Sequence, residues 1–129
     1  MYQYSLETPQ EGFVDITGQV QKAVRDSGVS EGTALVFVPH TTAAVTINEN
    51  ADPDVLHDLR LALAALVPKL PYRHSEGNSP AHLKSSLFGC SQLVPIVNGK
   101  LALGTWQGIY FCEFDGPRRR NFQVVVQGS

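Results

Sequence analysis

Hydrophobic and polar positions alternate at the start of the chain. Tyr2, Tyr4 and Leu6 are separated by polar residues, the period-two pattern of a half-buried strand. Residues 10–16 are a second candidate strand. The apolar run 33–39 and the β-branched run 43–47 predict two more strands, which we expect to be neighbours in one sheet.

The C-terminal third is also patterned as strands. Four strands are predicted over residues 92–97, 101–103, 106–114 and 121–127. Asn98 and Gly99 stand between the first two, and this dipeptide is a strong signal for a tight hairpin turn. The sequence therefore predicts consecutive antiparallel strands in this region.

Helical spacing of apolar residues interrupts the strands three times. The first helix follows Thr17, a candidate N-cap, and stops at Gly28. Asp52 and Pro53 open the longest helix, which ends before Pro68. Its predicted apolar stripe consists of Val55, Leu56, Leu59, Leu63 and Leu66.

A short third helix is predicted after a loop over residues 68–79. Ser79 and Pro80 resemble an N-cap and first helical residue, and Gly89 would end the helix. Strands outnumber helices and cluster at both ends, which is typical of an α+β domain with largely antiparallel sheets. The 129 residues fit one domain, residues 1–129.

Composition and charge narrow the function classes. The hydrophobic content of 43% and charged content of 17% are ordinary for a globular protein. The formal net charge of −2 argues against a nucleic-acid-binding surface. The longest apolar run, residues 61–67, is too short to cross a membrane, and no signal peptide is visible. We therefore expect a cytoplasmic protein that binds neither nucleic acid nor membrane.

Three histidines stand at the predicted edges of elements. His40 follows a strand, His74 lies in the loop, and His82 is in the first turn of the short helix. Side chains at such positions can converge, and neutral imidazole is a common ligand of zinc and related metals. The alternative is that they are surface or hydrogen-bonding histidines. His57 lies within the long helix beside Asp58, so we leave it out of the site.

Other polar residues suggest a site for an anion. Lys84, Ser85 and Ser86 follow the helix start and would form a phosphate cradle, or else belong to an ordinary capped helix. Arg118 and Arg120 share one face of a strand, where two guanidinium groups suit a phosphate or carboxylate. A charged strand edge that prevents pairing with another molecule is the alternative.

A general base and further hydrogen-bonding groups are also available. Glu49, just after a strand, is the candidate base for metal-bound water. Asp52 is better explained as a helix cap. Thr41 and Thr42 would either contact substrate oxygens or close a turn.

Five short runs together resemble the YjbQ family. They are HTTA, INEN, GNSPAHLKSS, LGTWQGI and DGPRRR, and they occur in this order from residue 40 onward. The resemblance implies two largely antiparallel β-sheets in a sandwich with two to three helices. It also implies a homotrimer, with the site near the subunit interface.

The resemblance adds expectations about function. Family members have been labelled secondary thiamine-phosphate synthases, an activity that condenses a pyrimidine diphosphate with a thiazole phosphate. The resemblance also supports the prediction of a metal site at His40, His74 and His82, with zinc as the expected ion. The remaining matching polar positions are Thr41, Thr42, Glu49, Asn78, Lys84, Ser85, Ser86, Gln107, Glu113, Arg118 and Arg120.

Two functions follow as hypotheses. The first is a metal-dependent enzyme acting on a small phosphorylated metabolite, either as a thiamine-phosphate synthase-like transferase or by metal-assisted hydrolysis. In it Glu49, Lys84 and Arg118 are catalytic, whereas Thr41, Thr42, Asn78, Ser85, Ser86, Gln107 and Arg120 bind substrate. The alternative is a non-catalytic trimeric module that binds a metal or a metabolite.

Overall fold

Eight strands and three helices make up the protein in a computed structural model, which describes residues 1–129. The strands are β1 (Tyr2–Glu7), β2 (Gly12–Asp15), β3 (Gly32–Phe37), β4 (Ala43–Glu49), β5 (Ser91–Val97), β6 (Lys100–Leu101), β7 (Gln107–Glu113) and β8 (Arg119–Gly128). The helices are α1 (Thr17–Ser27), α2 (Pro53–Leu66) and α3 (Ser79–Phe88). This is the predicted α+β class.

All strand pairs are antiparallel, and they form two sheets. The larger sheet has the order β1-β8-β3-β5-β6, and the smaller has the order β2-β7-β4. The main hydrophobic core combines residues of both sheets with Val20, Ala23 and Val24 of α1. Alternate strand residues point inward to this core because successive side chains of a strand face opposite sides.

The expected pairing of β3 with β4 is wrong. β3 lies between β5 and β8 in the larger sheet, whereas β4 pairs with β7 in the smaller one. The connection that includes His40 and Thr41 carries the chain from one sheet to the other. Both strands are apolar enough for the core, and the sequence alone did not show that they face each other across it.

Two predicted N-caps are also wrong, each by one residue. Thr17 is the first residue of α1, and its Oγ1 instead accepts a hydrogen bond from the Ile109 backbone N–H (2.9 Å). Ser79 is the first residue of α3, and Asn78 precedes it without a side-chain cap bond. For Thr17 a tertiary contact therefore uses the hydroxyl that local patterning would assign to the cap.

Other turn and cap predictions are confirmed. Asp52 caps α2, accepting a hydrogen bond from the Asp54 N–H at 2.9 Å. Gly28 ends α1 in the left-handed conformation (φ 71°), which glycine adopts without a steric penalty. Asn98 and Gly99, both with positive φ, connect β5 to β6 as a two-residue hairpin turn.

The predicted apolar stripe of α2 is only partly buried, and Val55, Leu56 and Leu59 are half-buried. Leu63 is the only buried residue of this helix, while Leu66 is 74% exposed. Leu61, which was outside the stripe, is 66% exposed. α2 therefore lies on the surface of this chain with apolar side chains uncovered. No helix is long and apolar enough to span a membrane.

Candidate functional site

A polar cavity of about 390 Å³ opens where the β3–β4 connection, the loop before α3 and the β7–β8 turn meet. Eleven residues line it, and apart from one proline all are polar or charged. They are Pro39, His40, Thr41, Thr42, His74, Glu76, Asn78, His82, Asp115, Arg118 and Arg120. We call this cavity the histidine pocket.

The elements bring these side chains together from distant parts of the sequence. His40 leaves β3 where the chain changes sheets, and His82 lies in the first turn of α3, a helix that packs against β4. Arg118 and Arg120 flank Arg119 at the start of β8. As predicted, Arg119 faces the other way, with its Nη1 3.6 Å from Glu7 Oε1.

His74 and His82 form a close pair. Their ring centroids are 5.4 Å apart and the rings are nearly perpendicular, at 83°. Two imidazoles on one tetrahedral zinc ion, with Zn–N bonds of about 2.0–2.1 Å, have centroids separated by roughly 5 Å. The spacing of this pair thus suits two ligands of one metal ion.

His40 is held from behind by the backbone of β8. Its Nε2 lies 3.0 Å from the carbonyl oxygen and 3.1 Å from the amide nitrogen of Asn121. Burial lowers the pKa of His40, and the nearby Arg120 guanidinium lowers it further. The ring is therefore favoured in its neutral form. With hydrogen on Nε2 it donates to the Asn121 carbonyl oxygen and Nδ1 is free for a ligand, whereas in the other tautomer Nε2 accepts from the Asn121 N–H.

A buried ion pair forms the floor of the pocket. Arg120 Nε lies 2.8 Å from Glu113 Oε1 and its Nη2 lies 2.6 Å from Oε2, while Nη2 also donates to Thr42 Oγ1 at 2.8 Å. Burial alone would raise the pKa of Glu113, but hydrogen bonds from Arg120, Thr8 and the Asp115 backbone N–H outweigh it and lower the pKa. Arg120 is thus held in place with its charge compensated.

Asp115 connects the two sides of the pocket. Its Oδ2 accepts hydrogen bonds from Arg118 Nη2 (2.9 Å) and from Asn78 Nδ2 (2.8 Å). Arg118 Nε also donates to the Asp115 carbonyl oxygen at 2.7 Å. The other amide atom of the asparagine, Asn78 Oδ1, is buried without a hydrogen-bond partner. Few buried polar atoms are left in this state in folded proteins.

These contacts determine the charge that the pocket presents. Glu113 and Asp115 pair with the two arginines, and Glu76 adds a carboxylate that forms no hydrogen bond or salt bridge within the chain. With neutral histidines the formal charge of this set is −1, from two arginines and three carboxylates. The pocket is therefore better suited to attract a cation than to bind an anion unaided.

Eight of the predicted site residues line this pocket, and five do not. Those that line it are His40, Thr41, Thr42, His74, Asn78, His82, Arg118 and Arg120. Glu49 is at the far end of β4 from Thr42, about 20 Å along the strand at roughly 3.3 Å per residue. Gln107 pairs with Glu49 across β4 and β7. Within a single chain, neither residue therefore lines the histidine pocket.

The three predicted cradle residues of α3 have other contacts. Lys84 is buried and its Nζ lies 2.9 Å from Glu11 Oε1. Ser85 Oγ donates to the carbonyl oxygen of Ala43 at 2.7 Å, and Ser86 Oγ donates to that of His82 at 3.0 Å. The helix start therefore offers no serine hydroxyl to a ligand in the histidine pocket.

Sequence reasoning missed two lining carboxylates, Glu76 and Asp115. Glu76 stands in the loop between His74 and Asn78, and Asp115 begins the DGPRRR run. Glu76 lies two residues from both His74 and Asn78, and Asp115 lies three residues before Arg118. Their proximity to those residues was the available signal.

The side chains of the histidine pocket do not form a complete metal site in this structure. No group of three or more histidine, cysteine, aspartate or glutamate side chains comes together closely enough to hold a metal ion. The donor set itself, three imidazoles around one cavity, is a type that zinc prefers. Cys112, by contrast, is buried in the core and burial raises the pKa of its thiol, while Cys90 is exposed.

Comparison with known proteins places the chain in a family. A family model described as UPF0047 protein YjbQ-like matches residues 2–129. The chain belongs to the YjbQ family. The match spans all the elements that build the histidine pocket.

Relatives in this family are similar over their whole lengths. UPF0047 protein MJ1081 of Methanocaldococcus jannaschii is 54% identical over 131 residues, covering 100% of this chain and 95% of the relative. UPF0047 protein YugU of Bacillus subtilis is 50% identical, covering 94% and 93%.

Solved structures of the family share the fold. An uncharacterized YjbQ/UPF0047 protein from Clostridium acetobutylicum superposes with a TM-score of 0.96 at 58% identity, covering 98% of this chain and 100% of that one. Conserved hypothetical protein TT1486 from Thermus thermophilus gives a TM-score of 0.92 at 44% identity, with the same coverage.

Proposed function

We propose that this protein is a metal-dependent enzyme that acts on a small phosphorylated metabolite in the histidine pocket. The single observation that carries the proposal is the convergence of His40, His74 and His82 on one polar cavity. They come from a strand end, a loop and a helix, and no packing role within the core explains all three.

The histidines support a divalent cation, with zinc as the expected ion. His74 and His82 have the spacing of two ligands, and His40 faces the same cavity. In the tautomer that carries hydrogen on Nε2, His40 donates to the Asn121 carbonyl oxygen and leaves Nδ1 free. Such a bond to the remote ring nitrogen is the usual support for a histidine ligand. Because the three rings are not gathered closely enough in this structure, binding one ion to all three requires side-chain movement.

A bound cation also makes the pocket suitable for phosphate. It would supply the positive charge that the paired arginines lack and an open coordination position for a substrate oxygen. Arg118 is about half exposed, so its guanidinium can hydrogen-bond to a phosphate while keeping its hydrogen bonds to Asp115. Thr41 lines the same pocket, is exposed and offers a hydroxyl group, whereas Thr42 Oγ1 already accepts a hydrogen bond from Arg120.

Glu76 is the carboxylate best placed to move a proton. It lines the pocket, is exposed and has no competing partner. Asp115 is engaged by Arg118 and Asn78, and Glu49 reaches a histidine pocket only if that pocket belongs to a neighbouring subunit. A general base of this kind contributes about 10²–10⁴-fold to rate.

Two reactions fit this site. One joins a pyrimidine diphosphate to a thiazole phosphate and releases pyrophosphate, which is the thiamine-phosphate synthase reaction. The other hydrolyses a small phosphate ester. Both require a cation and hydrogen-bond donors around the phosphate oxygens.

The test begins with metal content. Untagged protein equilibrated with zinc and then dialysed should retain about one ion per chain. His74→Ala and His82→Ala should lose it, whereas His57→Ala, on the exposed face of α2, should retain it. Both reactions are then assayed with and without chelator. Equal metal content in all variants would contradict the metal site, and a metal-binding protein that turns over neither substrate would favour a non-catalytic binding module.

We further propose that the chain forms a homotrimer. Leu35, Leu93 and Val125 lie side by side in register across three strands on the outward face of the larger sheet. Leu93 is 63% exposed and Val125 is 39% exposed. An uncovered apolar row of this kind is typical of a protein–protein contact. A neighbouring subunit packed there would place the site near an interface.

A further inference from the structure

A second cavity of about 510 Å³ lies directly beside the histidine pocket. It is formed between α2, the loop before α3, and α3 itself. Glu76, Asn78 and Asp115 line both cavities, so these three residues form a shared wall. We call this space the helix cavity.

The helix cavity differs from the histidine pocket in chemistry. Val67, Ala81 and Phe114 give it apolar lining, whereas the histidine pocket has none. Lys69 and Lys84 add ammonium groups at its edge, and Lys84 is paired with Glu11. A ligand here would meet both apolar side chains and hydrogen-bonding groups.

The shared wall carries an unused hydrogen-bond acceptor. Asn78 Nδ2 is fixed by Asp115, which orients Oδ1 and leaves it buried with no donor. Exchanging the two amide atoms would place oxygen against the Asp115 carboxylate, so the orientation is determined. A buried acceptor without a partner costs free energy unless a ligand or water donates to it.

We propose that the helix cavity receives the hydroxyl-bearing carbon skeleton of the phosphate ester whose phosphate lies in the histidine pocket. This inference rests on the proposed function and narrows its substrate to a phosphorylated polyol or sugar. Hydroxyl groups donate to the exposed carboxylate of Glu76 in the shared wall, while the carbon skeleton packs toward Val67 and Ala81. Each cavity alone is in the size range of small-molecule sites, about 300–1,000 Å³.

The test compares ligands that fill one cavity or both. Inorganic phosphate, butyl phosphate and ribose 5-phosphate are titrated by calorimetry into zinc-equilibrated protein. Ribose 5-phosphate should bind about tenfold more tightly than either of the others, because it alone offers hydroxyl groups beside the phosphate.

Variants of α2 test whether the tighter binding of ribose 5-phosphate depends on the helix cavity. Ala64 is exposed and lines the helix cavity but not the histidine pocket. Ala64→Phe should abolish the tenfold preference and leave inorganic phosphate binding unchanged, and Ala64→Leu, which keeps a strong helix former at this position, should act in the same direction. Ala65→Phe is the control, because Ala65 is exposed on the same helix and lines neither cavity.

The outcomes separate the two proposals. If inorganic phosphate binds but ribose 5-phosphate gains nothing, or if Ala64→Phe leaves the gain intact, the role of the helix cavity is overturned and the proposed function stands. Failure of the zinc-equilibrated protein to bind inorganic phosphate overturns phosphate handling in the histidine pocket, and the role of the helix cavity with it.

Discussion

Glu113 and Arg120 form a fully buried, two-point ion pair beneath the histidine pocket, with Oε2 and Nη2 2.6 Å apart. The pair joins the end of β7 to the start of β8, and through Thr42 it also fixes the start of β4. It therefore holds three elements that line the pocket in one arrangement. The two charges therefore have a structural role, because neither side chain is free to neutralise a bound ligand.

Glu113→Gln should destabilise the protein by about 3–5 kcal/mol at pH 7, because Arg120 would stay buried without its counterion. The free energy of unfolding from urea denaturation measures this. Glu7→Gln is the control, since Glu7 forms only an exposed contact with Arg119. A loss as small as that of the control would contradict the structural role of the pair.

The same pair predicts a dependence of stability on pH. The pKa of Glu113 in the folded protein is below its ordinary value of 4.5. Its stabilisation is therefore complete above pH 4.5 and is lost as the pH falls through the folded-state pKa. Urea denaturation between pH 7 and pH 3 should show a steeper acid loss in the wild type than in Glu113→Gln. Parallel curves would show that other carboxylates dominate.

Glu76→Gln should lower turnover by about 10²-fold or more, because the amide cannot accept the proton. Zinc content and the unfolding temperature should stay near those of the wild type, since Glu76 is exposed and unpaired. Glu49→Gln is the informative comparison. Loss of turnover in Glu49→Gln alone would assign the proton to a carboxylate from a neighbouring subunit.

Gly116→Ala should destabilise the β7–β8 turn by about 1–3 kcal/mol. An added Cβ would overlap the backbone oxygen of Pro9 and lie 2.9 Å from Glu113 Cγ. Gly18→Ala provides the opposite case, because a Cβ there meets nothing within 4 Å and lies in α1. That change should stabilise the protein by up to about 1 kcal/mol. Thermal unfolding of both variants tests the contrast.

Leu93→Glu should disrupt self-association. The glutamate would replace the most exposed leucine of the row, next to Leu35, and a buried unpaired charge is costly in an interface. Light scattering coupled to size exclusion should show a shift from trimer to monomer. Gln19→Glu, on the exposed face of α1, should leave the mass unchanged. A trimer in both variants would exclude this face as the contact.

Local patterning predicted most elements because the causes are local. Asp52 caps α2 with its own side chain, Gly28 alone accommodates the left-handed turn, and Asn98 with Gly99 forms the hairpin. The alternation of β5 and β8 follows from one face packing on the core. These features depend on residues a few positions apart, so the sequence shows them directly.

The tertiary structure decided which sheet each strand joins and what each polar side chain contacts. β4 pairs with β7 instead of β3, because its inward face completes the core against the larger sheet. Thr17, expected to cap α1, instead accepts a hydrogen bond from the Ile109 backbone N–H, and Asn78 before α3 donates to Asp115, each contact joining residues more than thirty positions apart.

The candidate site divides in the same way. The sequence by itself determined the three histidines and the two arginines, because strand alternation and element edges constrain where such side chains can point. Only the tertiary structure showed that Arg120 is neutralised by Glu113, that Lys84 is taken by Glu11, and that Glu49 lies at the far end of β4. Pairing between charges depends on distances between elements that are far apart in the chain, and no local pattern records those distances.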